Sequence, residues 1–78
     1  MKDLLHYIVL SIVDKSKKVN IDEEIDNDTV RLTIHVDESE IGKIIGKEGK
    51  TIRAIREVVK ILALKQKKYA DIQIAEDN

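Results

Sequence analysis

Residues 41–55 read IGKIIGKEGKTIRAI, and the most informative pattern of the chain lies here. Two glycines, Gly46 and Gly49, interrupt apolar residues that recur at helical spacing, which predicts two helices joined by a tight turn. The turn also carries Lys47 between the glycines and Lys50 directly after them. A turn alone needs no lysines, so the arrangement predicts a loop that holds phosphate.

A nucleotide-binding P-loop is one explanation of the loop, since Gly49, Lys50 and Thr51 match its last three positions. That motif would need a glycine at position 44, which is isoleucine, and it follows a strand, whereas a short helix is expected here. We therefore reject it. A second explanation is a plain helix–helix turn, in which Gly46 ends one helix in a left-handed conformation and Gly49 relieves crowding at the next.

A third explanation accounts for the lysines as well. Without Cβ atoms at the two glycine positions, a sugar-phosphate chain can approach the loop backbone closely. The helix that follows presents its free N–H groups and the positive end of its dipole to that chain. Lys47 and Lys50 add charge, whereas Glu48 opposes a phosphate if it faces the strand. Binding is therefore expected to be weak and strongly dependent on salt.

The sequence before the loop predicts one helix and a hairpin. Apolar residues at helical spacing run from Lys2 to about Lys15. Period-two alternation follows, with Val19, Ile21 and Ile25 on one face of a first strand. Asp26, Asn27 and Asp28 are turn residues, and the next alternation gives the apolar positions of a second strand, Val30, Leu32, Ile34 and Val36.

The sequence from Asp37 onward predicts two helices and a last strand. Asp37 and Glu40 have capping-box spacing ahead of the short helix that ends at the glycines. A longer helix is expected from Lys50 to about Lys67, and alternation returns near Ala70. The predicted order is α-β-β-α-α-β. Two helices separate the last two strands, so these can lie parallel, giving an α+β fold whose three-stranded mixed sheet has helices on one face. The core positions of the longer helix are Ile52, Ile55, Val59, Leu62 and Ala63.

The formal net charge of −1 conceals an uneven distribution. Residues 41–68 contain nine Lys/Arg and two acidic residues, and the rest of the chain has the opposite excess, so a local positive field is expected. The chain has no cysteine, and no run of about 18 apolar residues suggests a membrane span. We expect one cytoplasmic domain over residues 1–78, with no signal peptide, no membrane insertion, no metal site, no cofactor and no catalysis.

The loop and its flanks, within this order of elements, resemble the core of the KH domain, whose GXXG loop clamps about four nucleotides of a single strand. The order matches the type II, bacterial KH topology, and the whole chain is similar to the small bacterial KH proteins of the KhpA family. The resemblance implies that bases lie in a groove floored by Ile41, Ile44 and Ile45 with Leu32 or Ile34. The expected RNA-binding residues are Lys43, Ile45, Gly46, Lys47, Glu48, Gly49, Lys50, Thr51 and Arg53.

A row of apolar residues on the longer helix points away from its core face, which suggests a partner surface. We expect a two-fold contact between copies of the helix through Ala54, Val58, Ile61 and Leu64. Arg53, Arg56, Lys60 and Lys67 cluster beside the core face, and the distal Lys60 and Lys67 are interpreted as a solvated stripe. His6 and His35 are expected on the surface, and Tyr7 and Tyr69 are expected to pack at the sheet edge.

The resemblance implies a non-catalytic protein that binds single-stranded RNA as a homodimer, or with a larger Jag-type (KhpB) KH protein. It also implies a role in bacterial post-transcriptional regulation linked to cell elongation and division, as an RNA chaperone in cell shape and cell-wall organisation. The alternative is a different class of function, a protein-interaction subunit with a weak or vestigial RNA site. The acidic Glu48 within the loop favours this alternative, because it opposes a phosphate.

Overall fold

A computed structural model describes residues 1–14 and 16–75 of the chain. The chain forms three α-helices and three strands in the expected order α-β-β-α-α-β, with single 3₁₀ turns at Ser16–Lys18, Glu38–Glu40 and Lys47–Gly49. The elements are α1 (Lys2–Ile12), β1 (Asn20–Asp26), β2 (Thr29–His35), α2 (Ile41–Ile45), α3 (Lys50–Lys65) and β3 (Tyr69–Ile74).

The sheet has the order β1-β2-β3, with β2 in the centre. β1 is antiparallel to β2, and β3 is parallel to it. In this register Leu32 pairs with Glu23 on one side and with Ile72 on the other. This confirms the mixed sheet and the crossover through two helices. The buried residues of β2 alternate with polar ones, so the helices cover a single face and form an α+β fold.

The core lies between the central strand and the helices. Three residues of β2 are essentially inaccessible to water, because β2 is paired on both sides and covered by helix on one face. α1 contributes two fully buried residues, α2 contributes one, and α3 contributes a stripe at helical spacing. The main buried apolar side chains are Leu5, Val9, Ile21, Val30, Leu32, Ile34, Ile44, Ile52, Ile55, Val59 and Ile72.

Both long helices end earlier than their apolar periodicity predicts. α1 stops at Ile12 because Val13 turns into an extended conformation and buries its side chain in the core. α3 stops at Lys65, and Lys67 takes a left-handed conformation (φ 58°). Two N–H groups then close the helix end, since Lys68 donates to Ala63 and Lys67 donates to Leu64, which is a Schellman motif. The predicted end of α1 at Lys15 lies outside the described residues.

Three surface positions also differ from expectation. Ile25 was predicted on the inner face of β1 with Ile21, but it is exposed, since Ile21 is the one residue that this edge strand buries. Tyr7 and Tyr69 were predicted to pack at the sheet edge, and both are largely exposed. His35 lies on the open face of the sheet, as expected, where its Nε2 is 2.6 Å from Asp22 Oδ2.

The topology places the glycine loop at one end of the sheet. β1 begins where β2 ends, since Asn20 pairs with His35, and Ala75 donates to the Ile34 carbonyl at the same end. α3 starts there and runs to the other end, where the Tyr69 N–H donates to the Asp28 carbonyl beside the hairpin turn. The start of β1, the end of β2 and the start of α3 therefore lie at the same end of the sheet as the loop.

Candidate nucleic-acid interface

Gly46 ends α2 in a conformation that only glycine adopts easily. Its φ of 75° is positive, as predicted, but its ψ of 174° is extended and not left-handed helical. The Gly46 N–H donates to the Gly42 carbonyl at 2.9 Å and closes the helix. A Cβ at this position would overlap the Thr51 side chain and lie 2.9 Å from the Thr51 backbone nitrogen. The corner therefore depends on a missing side chain for its packing as well as for its dihedral angles.

Gly49 has a different role from the one the sequence suggested. It takes a left-handed helical conformation (φ 74°, ψ 14°), and a Cβ there would meet nothing closer than the Arg53 Nη2 at 4.0 Å. The prediction that Gly49 relieves crowding is therefore wrong, because the space beside it is open. That open space leaves the backbone accessible from solvent. Glu48 also has a positive φ of 58°, so three of the four loop residues are held in conformations that side chains disfavour.

The loop backbone is braced by its own hydrogen bonds. Gly49 donates its N–H to the Gly46 carbonyl at 3.1 Å, and Lys50 donates to the Lys47 carbonyl. The N–H of Lys50 is thus already used, although the sequence predicted free donors at the start of this helix. Arg53 Nη2 is 3.5 Å from the Glu48 carbonyl, which places the guanidinium beside the loop. A bound phosphate would meet the helix dipole and the nearby side-chain charges.

The charges at the loop are exposed and partly balanced. Lys47 and Lys50 both point to solvent, and the Glu48 carboxylate lies 3.9 Å from Lys50 Nζ with about 70% of each side chain exposed. Glu48 therefore faces water, where its repulsion of a phosphate is screened by salt. It also neutralises part of the Lys50 charge, so a phosphate must compete with it.

Lys43 occupies a different environment from Lys47 and Lys50. Its Nζ is 2.6 Å from Asp14 Oδ2 and 2.9 Å from Glu40 Oε1. The second carboxylate oxygen of Glu40 accepts the Asp14 N–H at 2.8 Å, and Glu40 is only 3% exposed. This network, which we call the Glu40 clamp (Asp14, Glu40 and Lys43), fastens the chain after α1 to the start of α2. Two carboxylates therefore already balance the charge of Lys43.

The pKa shifts in the clamp agree with this assignment. Hydrogen bonds to Asp14 and then to Glu40 raise the pKa of Lys43, and the hydrogen bond from Lys43 lowers the pKa of Asp14. The Asp14 contribution to stability is present above its unfolded pKa and disappears as pH falls through its lower folded pKa. The Lys43 contribution is lost only as pH rises through its raised pKa, so the pair is intact at neutral pH.

The structure brings together most of the predicted RNA-binding residues. The loop, Lys50, Thr51 and Arg53 lie around one corner, with half-exposed Ile45 beside it. The predicted groove floor is partly wrong, because three of its five residues are fully buried and cannot touch a base. Those three are Leu32, Ile34 and Ile44.

A cavity of about 220 Å³ lies at the same end of the sheet, where β2 leads into α2. Its lining includes Ile41, a predicted floor residue, together with Lys18 and His35, which the sequence did not assign to the site. No local signal places Lys18 and His35 at one cavity or joins Asp14 to Glu40, because the two residues of each pair are far apart in the chain. The lining residues are Lys18, His35, Val36, Asp37, Glu38 and Ile41.

The predicted partner surface on α3 is exposed in the single chain. Ile61 and Leu64 are 57% and 60% exposed, Val58 is 46% exposed, and Ala54 is exposed at the start of the row. Apolar side chains in a continuous row on an open helix face are unusual for an isolated domain. The alternative, a helix buried on all sides within one chain, is therefore excluded.

Other kinds of site are not found within residues 1–14 and 16–75. This part of the chain has no cluster of three or more His, Cys, Asp or Glu residues that could hold a metal ion. Among the same residues, no helix combines the length and the apolar character that are needed to cross a membrane.

Comparison with known proteins gives one consistent result over almost the whole chain. The family described as "KhpA/KhpB, KH domain" matches residues 2–74. The protein named "RNA-binding protein KhpA" from Chlamydia caviae is 40% identical over 77 residues, which cover 99% of both chains. Proteins of the same name from Clostridium perfringens and Aquifex aeolicus are 38% and 33% identical, over 95% and 97% of this chain and 99% and 96% of theirs. No solved structure matches the chain.

Proposed function

The chain belongs to the KhpA/KhpB family of KH domains, and from this premise we propose that it is a single-domain, non-catalytic protein that binds single-stranded RNA. The glycine corner is the observation that carries the proposal. Gly46 turns the chain and Gly49 leaves open backbone, while Lys47, Lys50 and Arg53 supply charge at the same place. The relatives named above are called RNA-binding proteins, which supports the same ligand here.

The proposed binding site consists of the loop residues 46–49 with Lys50, Thr51, Arg53 and Ile45. Lys43 belongs at its margin, because two carboxylates already bind its ammonium group. Phosphate contacts of this kind hold a strand in place without reading its sequence. Only two aromatic residues are present in the chain, so affinity depends mainly on charge and salt.

A double substitution in the loop tests this function. Lys47→Asp with Glu48→Asp reverses the charge at the loop while both positions stay exposed, so the circular dichroism spectrum is expected to be unchanged. Binding of a short uridine-rich RNA at low salt is expected to fall by about tenfold or more, equivalent to roughly 1.4 kcal/mol. Fluorescence anisotropy measures it.

Arg31→Glu is the matched control, since it makes the same change in net charge on the strand β2, away from the loop. If the control lowers RNA binding as much as the loop variant, the loop is not the site. If the wild-type protein binds no RNA at low salt, the protein-interaction alternative gains support, because the exposed row on α3 would then be the remaining functional surface.

We further propose that the protein acts as a dimer in the cytoplasm and pairs with a larger KhpB-type KH protein. We also propose that it acts as an RNA chaperone in post-transcriptional control of cell elongation, division, shape and wall organisation. The exposed row of Ala54, Val58, Ile61 and Leu64 supports a two-fold contact, since removing an apolar helix face from water stabilises the pair.

Replacing Ile61 by glutamate tests the dimer. The variant is expected to sediment as a monomer at concentrations where the wild type is a dimer, because it places a charge at the centre of the apolar row. Asn27→Asp adds the same charge at the exposed hairpin turn and is expected to leave the mass unchanged. Sedimentation equilibrium gives the mass, and a wild type that is monomeric at high concentration would refute this assembly.

A further inference from the structure

The outer face of α3 has an arrangement of charges that selects one way of pairing two helices. Glu57 and Lys65 lie on this face, four residues before and four residues after Ile61. In a parallel pair each residue would meet its own copy, so like charges would face each other. In an antiparallel pair centred on Ile61, Glu57 of each copy faces Lys65 of the other, and two-fold symmetry makes this contact twice. The charges therefore favour the antiparallel arrangement.

A band of basic residues runs along one flank of the same face. It consists of Arg53, Arg56 and Lys60, and we call it the α3 basic band. Arg53 reaches the loop at the Glu48 carbonyl, and Arg56 Nε lies 3.3 Å from the Ile72 carbonyl on the edge strand. Lys60 lies farther along, beside a groove that includes Tyr69. The band thus extends from the loop into the last third of α3.

Two-fold symmetry joins the bands of the two copies. The two-fold axis of an antiparallel pair stands perpendicular to the plane that contains both helices. Rotation about it exchanges the helices and reverses their direction, and the two basic bands therefore lie on the same side of the dimer. Lys60 is next to the central Ile61, and the two copies of Lys60 therefore lie close to the axis. The result is one basic surface that begins at one loop, crosses the centre and ends at the other loop.

The spacing of the loops follows from helix geometry. Lys50 begins α3 eleven residues before Ile61, which is about 16 Å at 1.5 Å per residue, so the two loops are roughly 33 Å apart. Each loop takes about four nucleotides. A stacked strand covers 33 Å with about ten nucleotides, and an extended strand needs fewer.

We propose that one single-stranded RNA of sufficient length binds both GXXG loops of a dimer at once and follows the α3 basic band between them. This inference rests on the proposed RNA binding and dimer, and it adds the length of the preferred ligand and a role for Lys60. The distal lysine, interpreted from sequence as a solvated side chain, becomes a contact for the middle of a long strand. Short RNAs use one loop and do not touch it.

The experiment compares binding of oligouridylates of about 8 and about 24 nucleotides. The shorter RNA can occupy one loop, and the longer RNA can occupy both loops and the distance between them. The wild-type dimer is expected to bind the long RNA about tenfold or more tightly than the short one. Once one loop holds the long RNA, binding of the same RNA by the second loop is an intramolecular step. A long RNA also offers a single loop many equivalent binding positions, and the monomeric Ile61→Glu variant measures that advantage alone. Its ratio of long-RNA to short-RNA affinity is expected to be several-fold smaller than that of the wild type.

Two substitutions distinguish RNA contacts made by the α3 basic band from RNA binding by the loop. Lys60→Gln is expected to weaken the long RNA several-fold and to leave the short RNA unchanged, whereas Lys2→Gln, at the far end of α1, changes neither. Equal length ratios in the wild type and in Ile61→Glu would overturn the inference, and so would a wild type that is monomeric when half saturated with RNA. Failure of the short RNA to bind would refute the proposed function instead.

Discussion

Replacing Gly46 by alanine is expected to destabilise the domain by about 3 kcal/mol and to remove RNA binding. A residue with a side chain in this backbone region costs about 1–3 kcal/mol, and the added Cβ would also lie 2.6 Å from the Thr51 Cβ. The overlap involves the backbone nitrogen of Thr51, so a change of Thr51 rotamer cannot relieve it. The corner between α2 and α3 must open, which displaces Lys47 and Lys50 from the start of α3.

Gly49→Ala is the matched control for Gly46→Ala. Its φ is also positive, but its Cβ has open space, so we expect a loss of only about 1 kcal/mol and an intact fold. Its methyl group would still stand where a strand approaches the backbone and should weaken RNA binding. Urea denaturation and RNA anisotropy measure the two effects. Equal stability losses in the two variants would show that the Thr51 contact has no role.

Replacing Glu40 by glutamine is expected to lower the free energy of unfolding by about 2 kcal/mol, because the buried side chain loses its charge and one of its hydrogen bonds becomes unfavourable. The carboxylate accepts from Asp14 on one oxygen and from Lys43 on the other. An amide of the same shape presents an NH₂ to one of these two donors, so one buried hydrogen bond becomes a donor–donor contact. Melting should shift down by roughly 10 °C for a domain of this size.

Glu38→Gln is the control for Glu40→Gln, since it makes the same chemical change two residues earlier at an exposed position. Its melting temperature is expected to match the wild type within about 2 °C, because exposed charges contribute little. Thermal unfolding followed by circular dichroism measures both variants. If Glu38→Gln and Glu40→Gln melt together near the wild type, the Glu40 clamp does not hold α2 in place.

The element order and the corner followed from short-range patterns in the sequence. Alternation at Val30, Leu32 and Ile34 predicts a strand with one buried face, and the structure buries all three. The spacing of Ile52, Ile55 and Val59 predicts the core stripe of α3, which is also confirmed. These features depend on the period of the backbone, which is 2.0 in a strand and 3.6 in a helix, so they can be read from neighbouring residues.

The role of several site residues did not follow from local pattern. Lys43 was predicted to bind RNA together with Lys47, yet its ammonium group is held by Asp14 and Glu40. The sequence indicated Glu40 as part of a capping box, and its bond to Asp14 N–H joins residues 26 positions apart. The floor residues Leu32 and Ile34 were predicted to be accessible, but the packed helices cover them completely.

The order of helices and strands, the glycine corner and the uneven distribution of charge could all be predicted from the residues alone. The solvent exposure of each lysine, the lack of room for a Cβ at Gly46 and the uncovered row on α3 became visible only in the folded chain. Periodicity and glycine conformation are properties of adjacent residues, whereas burial and ion pairing depend on which distant segments the packed core brings within a few ångströms of each other.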